Sequence, residues 1–143
     1  MGKKETDTRF AKFGTVSFTS TSKVNDFADS LEKGKIMGTR CLKCGRSYFP
    51  PRADCSECLS STIDWFEITG PGKLLTWSLM QFGPVGFEDD LPYSIAVVEF
   101  DEVKVFGRLA PDLSEDEVQV GMAMDVQANE LPNGQLNYVF VKR

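Results

Sequence analysis

Apolar and polar residues alternate in short runs along the second half of the chain. Runs over residues 63–68, 73–80, 93–100, 103–109, 118–128 and 136–141 have the period of two, or the continuous apolar character, that is typical of strands. Glycine, proline or acidic turn residues separate most of them. About five strands follow residue 68, which predicts a small five-stranded barrel of the OB type. A β-sandwich is the alternative, but it usually needs about seven strands.

A helical period occurs once, near the N-terminus, and predicts a helix over residues 22–33. Its apolar positions are Val24, Phe27, Ala28 and Leu31. Ser22 is a suitable N-cap, and Gly34 suits the position after the last turn. Residues 1–20 sustain neither period, so we expect an extended arm that is either disordered or ordered only against a partner.

The cysteines form two C-x2-C pairs with ten residues between them, Cys41 with Cys44 and Cys55 with Cys58. Two such turns that face each other bring four thiolates around one tetrahedral position, which suits zinc or a single iron ion. Gly45 follows the first pair but Leu59 follows the second, so we expect the second turn to be less regular. With a short strand over residues 35–40, this pattern predicts a rubredoxin-like zinc ribbon.

These elements give a mainly β chain with three expected units. They are an N-terminal arm and helix (1–34), the zinc ribbon (35–68) and the OB-type barrel (69–143). We find no secretory signal and no apolar run of the ~20 residues that a membrane span needs. We therefore expect a cytoplasmic protein, and the cysteine spacing favours a metal over two disulfides.

The chain contains no histidine. This excludes the usual general base and every Ser–His or Cys–His nucleophile pair. If a metal takes all four cysteines, no free thiol remains either. Four thiolates also leave no coordination position for water, so the metal is expected to be structural. The chain is therefore not expected to be catalytic alone.

The net charge of −5 is unevenly distributed. Residues 33–52 contain six basic side chains and no acidic one, whereas residues 86–117 contain ten acidic side chains against Lys104 and Arg108. The six are Lys33, Lys35, Arg40, Lys43, Arg46 and Arg52. They either balance the −2 charge of a zinc–tetrathiolate centre or form an anion-binding surface, and both interpretations stay open.

The chain resembles the DUF35 family in several motifs. They are a capped helix, C-x2-C followed by glycine, the run Tyr48-Phe49-Pro50-Pro51-Arg52, a second C-x2-C, and the barrel motifs Pro84-x-Gly86-Phe87 and Gly121-Met122. Members are OB-fold proteins with an N-terminal rubredoxin-like zinc ribbon and are associated with acyl-CoA. The resemblance extends from about residue 22 to the end.

This resemblance implies a small accessory subunit of a thiolase-type acyl-CoA acyltransferase, which would assemble with a thiolase-fold catalytic subunit and help to bind coenzyme A or acyl-CoA. Arg46 and Arg52 are candidates for bidentate phosphate contacts. Phe49, Phe82 and Phe87 could offer apolar area to the pantetheine or to the partner. The arm over residues 10–21 resembles small subunits of thiolases that cleave 2-benzoylsuccinyl-CoA in anaerobic aromatic degradation.

Two other classes of function are compatible with the same elements. Zinc ribbons and OB barrels also bind single-stranded nucleic acids through aromatic side chains in a basic groove, but the acidic second half of this chain counts against that alternative. An iron-bearing electron carrier is the third class, which a colourless protein with stoichiometric zinc would exclude.

Overall fold

The computed structural model describes residues 7–16 and 22–143, and within them the chain is mainly β. One α-helix, α1 (Asp26–Glu32), precedes the strands. The strands are β1 (Met37–Cys41), β2 (Ser47–Tyr48), β3 (Ile63–Glu67), β4 (Gly72–Met80), β5 (Tyr93–Glu99), β6 (Lys104–Leu109), β7 (Ala123–Glu130) and β8 (Leu136–Lys142). Short 3-10 turns lie at Arg9–Lys12, Glu88–Asp90 and Glu115–Glu117. In this part of the chain, no helix is long and apolar enough to cross a membrane.

Strands β4 to β8 close a barrel in the order β4-β5-β6-β8-β7, which confirms the predicted five-stranded OB-type barrel. Neighbouring strands are antiparallel except β6 and β8, which pair in parallel. The inward side chains include Leu74, Val98, Val105, Met124 and Phe140, all of which are fully buried. Burial of this apolar area is the main favourable term in the stability of the barrel.

Strands β1 to β3 form a separate antiparallel sheet with β1 in the centre. Gly38 lies where β1 passes close to its neighbours. A Cβ atom there would lie 2.7 Å from the carbonyl oxygen of Tyr48 and 2.8 Å from the ring of Phe66. This sheet carries the cysteine turns, so its register fixes where they lie.

An aromatic cluster joins the N-terminal segment, the ribbon and the barrel. Its members are Phe10, Phe13, Phe27, Phe49 and Tyr138. The ring of Phe27 on α1 lies 6.2, 5.5 and 6.1 Å from the rings of Phe10, Phe13 and Phe49, and Phe49 lies 5.3 Å from Tyr138 on β8. The division at 34/35 and 68/69 remains a prediction, and this cluster packs side chains from all three of the expected units together.

The helix is shorter than predicted. It begins at Asp26 instead of residue 22, because Ser22 accepts a hydrogen bond from the N–H of Val24 within a turn. Serine and asparagine side chains favour such local bonds over helix. The predicted apolar face is otherwise confirmed, since Phe27, Ala28 and Leu31 are buried against the chain's own core.

The expectation of an extended arm is wrong for residues 7–16. Residues 9–12 form a 3-10 turn, and Phe10 and Phe13 pack on Phe27. The N–H of Gly14 donates to the carbonyl of Leu136 at 2.6 Å. This part of the arm is thus ordered against its own chain, through an irregular segment that has no sequence period. Residues 1–6 and 17–20 of the expected arm lie outside the described residues.

The aromatic cluster gives a test of the packing between ribbon and barrel. We expect Phe49→Ala to lower the free energy of unfolding by about 2–3 kcal/mol, because it removes ring contacts with both Phe27 and Tyr138. Urea denaturation followed by tryptophan fluorescence measures the change. Phe82→Ala is the control, because a ring that is 85% exposed should contribute less than about 0.5 kcal/mol. Equal effects of the two substitutions would contradict this packing.

Candidate metal centre and ribbon face

The four cysteine sulfur atoms converge at one point beside the ribbon sheet. All four lie within 4.8 Å of one another, and the pairs Cys41–Cys58 and Cys44–Cys55 are 3.5 Å apart. A tetrahedral zinc site with Zn–S bonds of about 2.3 Å requires S–S distances of about 3.8 Å. The donor set and its spacing therefore fit one zinc ion with a closed shell of four sulfur ligands. The ion would act as a structural cross-link between two turns.

The two cysteine turns have the same backbone geometry, so the prediction of a less regular second turn is wrong. The N–H of Gly45 donates to the carbonyl of Cys41 at 2.9 Å, and the N–H of Leu59 donates to that of Cys55 at 3.1 Å. Gly45 has a φ of +79°, and Leu59 adopts the same left-handed region at +59°. A leucine there costs about 1 kcal/mol relative to glycine, which the closure of the metal site can offset.

Backbone N–H groups point at the sulfur atoms in an equivalent pattern in both turns. The first sulfur of each pair accepts from two of them, Lys43 and Cys44 for Cys41 and Glu57 and Cys58 for Cys55. Hydrogen bonds of this kind favour the thiolate form of a cysteine, which is the form that binds metal. These bonds therefore favour the anionic form of the first cysteine in each pair.

Tyr48 makes a further contact with the centre that the sequence did not indicate. Its hydroxyl lies 3.1 Å from the sulfur of Cys55 and accepts the N–H of Ser56 at 3.1 Å. The hydrogen bond from Tyr48, with the backbone N–H groups, lowers the pKa of Cys55 to about 6. The side chain thus links β2 to the second cysteine turn, as an outer-shell partner that orients a ligand.

Thr39 fixes the segment between the cysteine pairs through hydrogen bonds to its backbone. It is fully buried on β1, where its hydroxyl donates to the carbonyl of Arg52 at 2.9 Å and accepts the N–H of Arg52 at 2.8 Å. A threonine inside a short strand gave no signal of this role in the sequence. The backbone at Arg52 is therefore fixed both by Thr39 and by the cysteine turns on either side.

The basic residues of the ribbon have different surroundings. Arg40 pairs with Glu102 of the barrel, and Arg46 pairs with Glu57 at 2.6 Å on the surface. The guanidinium of Arg52 is exposed and lies 5.4 Å from the centroid of the Tyr48 ring. Among residues 7–16 and 22–143, no carboxylate pairs with Arg52. Arg52 is thus the predicted anion ligand that keeps its charge available, whereas Arg40 has an internal partner.

The structure does not bring the three candidate phenylalanines together. Phe49 is half-buried inside the aromatic cluster. Phe82 is 85% exposed in the loop between β4 and β5. Phe87 lies in the same loop, where its ring faces Tyr93 at 6.3 Å and the guanidinium of Arg108 at 5.3 Å. Phe82 therefore offers the most exposed apolar area of the three.

The ion pair of Arg108 with Asp90 anchors the loop between β4 and β5 to the barrel. The pair is 2.8 Å long, and its side chains are only 17% and 15% exposed. Asp90 also accepts the hydroxyl of Thr15 at 2.8 Å, and the ring of Tyr93 lies 4.0 Å below the guanidinium. In the sequence, Arg108 is only a basic residue within an acidic stretch, because no local pattern identifies a partner that lies 18 residues away.

The mouth of the barrel beside this ion pair is acidic. A cavity of about 740 Å³ lies there between the loops that follow β4, β6 and β7. Its charged lining consists of Asp89, Asp90, Glu115, Asp116 and Arg108. A phosphate backbone would be repelled by this surface, whereas the exposed cation Arg52 lies on the ribbon.

A rubredoxin-like zinc ribbon joined to an OB-fold barrel is the class of protein that this fold and this cysteine site define. Two family models match it directly: the ChsH2 rubredoxin-like zinc ribbon domain over residues 28–64 and the ChsH2 C-terminal OB-fold domain over residues 65–129. Together with the geometry, this match supports a structural zinc ion held by the four cysteines.

Two relatives, both DUF35 domain-containing scaffold proteins, extend the match. The protein of Methanocaldococcus jannaschii is 33% identical over 66% of this chain and 67% of its own length. That of Pyrococcus furiosus is 32% identical over 70% of this chain and 73% of its own length. The chain belongs to the DUF35 family.

A solved structure has the same fold. The solved structure is described as Ltp2-ChsH2(DUF35) aldolase, and its chain matches with a TM-score of 0.66 at 23% sequence identity. The match covers 80% of our protein and 89% of the chain in the solved structure. At this identity the likeness supports the fold alone, and it agrees with the ribbon and the closed barrel described above.

Metal removal tests the cysteine centre. We expect a strong chelator, or Cys44→Ser, to unfold the ribbon, because metal binding supplies about 10–16 kcal/mol of folding free energy in small zinc modules. Hydrogen exchange followed by mass spectrometry should show loss of protection in β1 to β3, while the central barrel strands keep theirs. Lys43→Ala is the matched control, because Lys43 is next to a ligand and its side chain is exposed. Unchanged protection after complete zinc removal would contradict a metal-dependent ribbon.

Proposed function

We propose that this chain is a non-catalytic, zinc-binding accessory subunit of a thiolase-type acyl-CoA acyltransferase. It would hold the complex together and contribute to the binding of coenzyme A or acyl-CoA. A thiolase-fold catalytic subunit would carry the reactive groups, and the complex would work in the cytoplasm. Two observations support a role in a complex. The relatives are named scaffold proteins, and the solved DUF35 structure is described as Ltp2-ChsH2(DUF35) aldolase.

The observation that carries the proposal is the use of all four cysteines in one centre. Acyl transfer of the thiolase type uses a nucleophilic cysteine, an acid–base cysteine and a histidine. This chain has no histidine, and its cysteine sulfurs converge within 4.8 Å as a closed ligand set. A metal-bound thiolate with a full shell is a structural group, so the chemistry is assigned to another chain.

Arg46 and Arg52, on one face of the zinc ribbon, are the groups that would bind the phosphates of coenzyme A. Arg52 is exposed, held at its backbone by Thr39, and has an available charge. Arg46 lies beside a groove of about 380 Å³ between ribbon and barrel, and its exposed pair with Glu57 contributes little and can exchange. Guanidinium groups bind phosphate in a bidentate manner, so these two residues are assigned to the phosphates. Phe82 and Phe87 are assigned to partner or pantetheine contacts, and Phe49 to the support of this face.

The finer proposal is thiolysis of a benzoylsuccinyl-CoA substrate in anaerobic aromatic degradation. It rests on the resemblance of the arm over residues 10–21, of which residues 17–21 lie outside the described residues. In the described part, Phe10 and Phe13 belong to the aromatic cluster. The choice of acyl group would then be made mainly by the catalytic subunit.

Single-stranded nucleic-acid binding remains the alternative function, but the charges do not favour it. The OB barrel of nucleic-acid-binding proteins presents a basic groove with aromatic platforms. Here the cavity at the barrel mouth has four carboxylates against one arginine, which is already paired with Asp90. A salt series would decide, because nucleic-acid binding strengthens steeply at low salt.

Co-purification from the native source tests the proposal. A tagged chain should recover a thiolase-fold subunit that carries the cysteine and histidine residues missing here. The purified complex should catalyse acyl transfer to coenzyme A, and neither chain alone should reach that rate. Benzoylsuccinyl-CoA is the first substrate to measure. A lone, monodisperse protein that changes no acyl-CoA reaction would overturn the proposal.

Arg52→Ala tests the assignment of the phosphate site. In the complex, we expect about 10- to 100-fold weaker binding of coenzyme A by calorimetry, because a charge-assisted hydrogen bond contributes about 1.5–3 kcal/mol. Arg52→Lys should restore part of the affinity. The matched control is Lys33→Ala, which removes an exposed cation at the end of α1. Equal affinity for the Arg52→Ala complex and the unchanged complex would show that Arg52 does not bind the ligand.

A further inference from the structure

Two large apolar side chains project from the loop over residues 81–92, which connects β4 to β5. Phe82 is 85% exposed and Val85 is 91% exposed. Pro84 and Phe87 of the same loop, together with Phe106 of β6, help to line an apolar cavity of about 410 Å³. Two large apolar side chains this exposed within one loop, together with an apolar cavity lined by the same loop, are typical of an interaction surface.

The loop that carries these side chains is folded against the barrel. Gly83 lies close to Phe87 and Tyr93, so that a Cβ atom at Gly83 would lie 3.2 Å from Phe87 and 3.5 Å from the Tyr93 hydroxyl. The ion pair between Asp90 and Arg108 fixes the C-terminal half of the loop. A surface that is already ordered loses little conformational entropy on binding, which favours affinity.

The charge next to the apolar residues indicates the chemistry of the partner. Glu88 and Asp89 are exposed in the same loop, and no lysine or arginine pairs with either of them within the described ranges 7–16 and 22–143. Asp90, in contrast, is neutralised by Arg108. A complementary surface would present an apolar pocket with lysine or arginine side chains at its rim.

We infer that the loop over residues 81–92 is the docking element for the thiolase-fold catalytic subunit, with Phe82 and Val85 inserted into an apolar pocket that has a basic rim. This inference rests on the proposed function and names the surface that the complex would use. It assigns Val85, Glu88 and Asp89 as contacts beyond the candidate phenylalanines. Arg108 is then a positioning residue, since it touches the loop and not the partner.

The experiment uses the full chain and the thiolase-fold subunit that co-purification identifies. Calorimetry should show at least about 100-fold weaker binding for Phe82→Asp and for Val85→Asp, because each places a carboxylate in the apolar pocket. Val120→Asp is the matched control, since Val120 is also exposed, at 67%, and lies outside the loop. Its affinity should stay within about threefold of the unchanged chain. Zinc content and melting temperature should be equal in all variants, because the altered positions are exposed.

A charge variant tests the basic rim separately. Asp89→Lys should slow association and reverse the salt dependence of the association rate in stopped-flow measurements, because rim charges act mainly on the association rate. An association rate for Asp89→Lys with the magnitude and salt dependence of the unchanged chain would exclude a basic rim in the partner.

The outcomes separate this inference from the function on which it rests. If the unchanged chain and Phe82→Asp bind the catalytic subunit equally, the docking surface is wrong while the proposed function stands. If the unchanged chain binds no thiolase-fold subunit, both the proposed function and the docking role of residues 81–92 are wrong. If light scattering shows that the lone chain is a dimer that Phe82→Asp dissociates, the surface pairs two copies of this chain and the inference is overturned.

Discussion

Four thiolates that share one tetrahedral position can do so only around a cation, and the ribbon depends on this constraint. Its sheet is small, with a β2 of two residues, and it cannot bury enough apolar area to be stable alone. The metal therefore fixes the two turns, and the turns fix the segment between them. Leu59 shows how strongly the geometry is imposed, because a leucine takes the left-handed backbone that glycine takes in the first turn.

The aromatic cluster packs the metal-fixed ribbon against the rest of the chain. Phe49 extends from the segment between the cysteine pairs into contact with Phe27 and Tyr138, so ribbon, helix and barrel share one apolar core. Arg52 and the loop over residues 81–92 are then held on the same body. The chain thus presents charge and apolar area in fixed positions, and its four cysteine sulfurs converge as a ligand set that fits one zinc ion.

Local patterns predicted the elements well and the contacts between distant segments poorly. The C-x2-C spacing and the strand periods identified the ribbon, the convergence of the four cysteines and the five-stranded barrel, because each depends on residues that are close together in the sequence. The start of α1 was missed because the Ser22 side chain favours a turn. The packed arm was missed because Phe10 lies in a short 3-10 turn and Phe13 directly follows it, so the two share no regular period. The anchor between Arg108 and Asp90 depends on closure of the barrel and has no local signature.

The composition of the metal shell is the most direct test of the account, because a closed sulfur shell is what makes the centre structural. Zinc-edge X-ray absorption on the purified chain measures the number and type of ligands. We predict four sulfur atoms at about 2.3 Å and no nitrogen or oxygen neighbour in the shell. A shell of three sulfurs with a water or carboxylate oxygen would contradict the account, since it would leave an open coordination position and a free thiol on this chain.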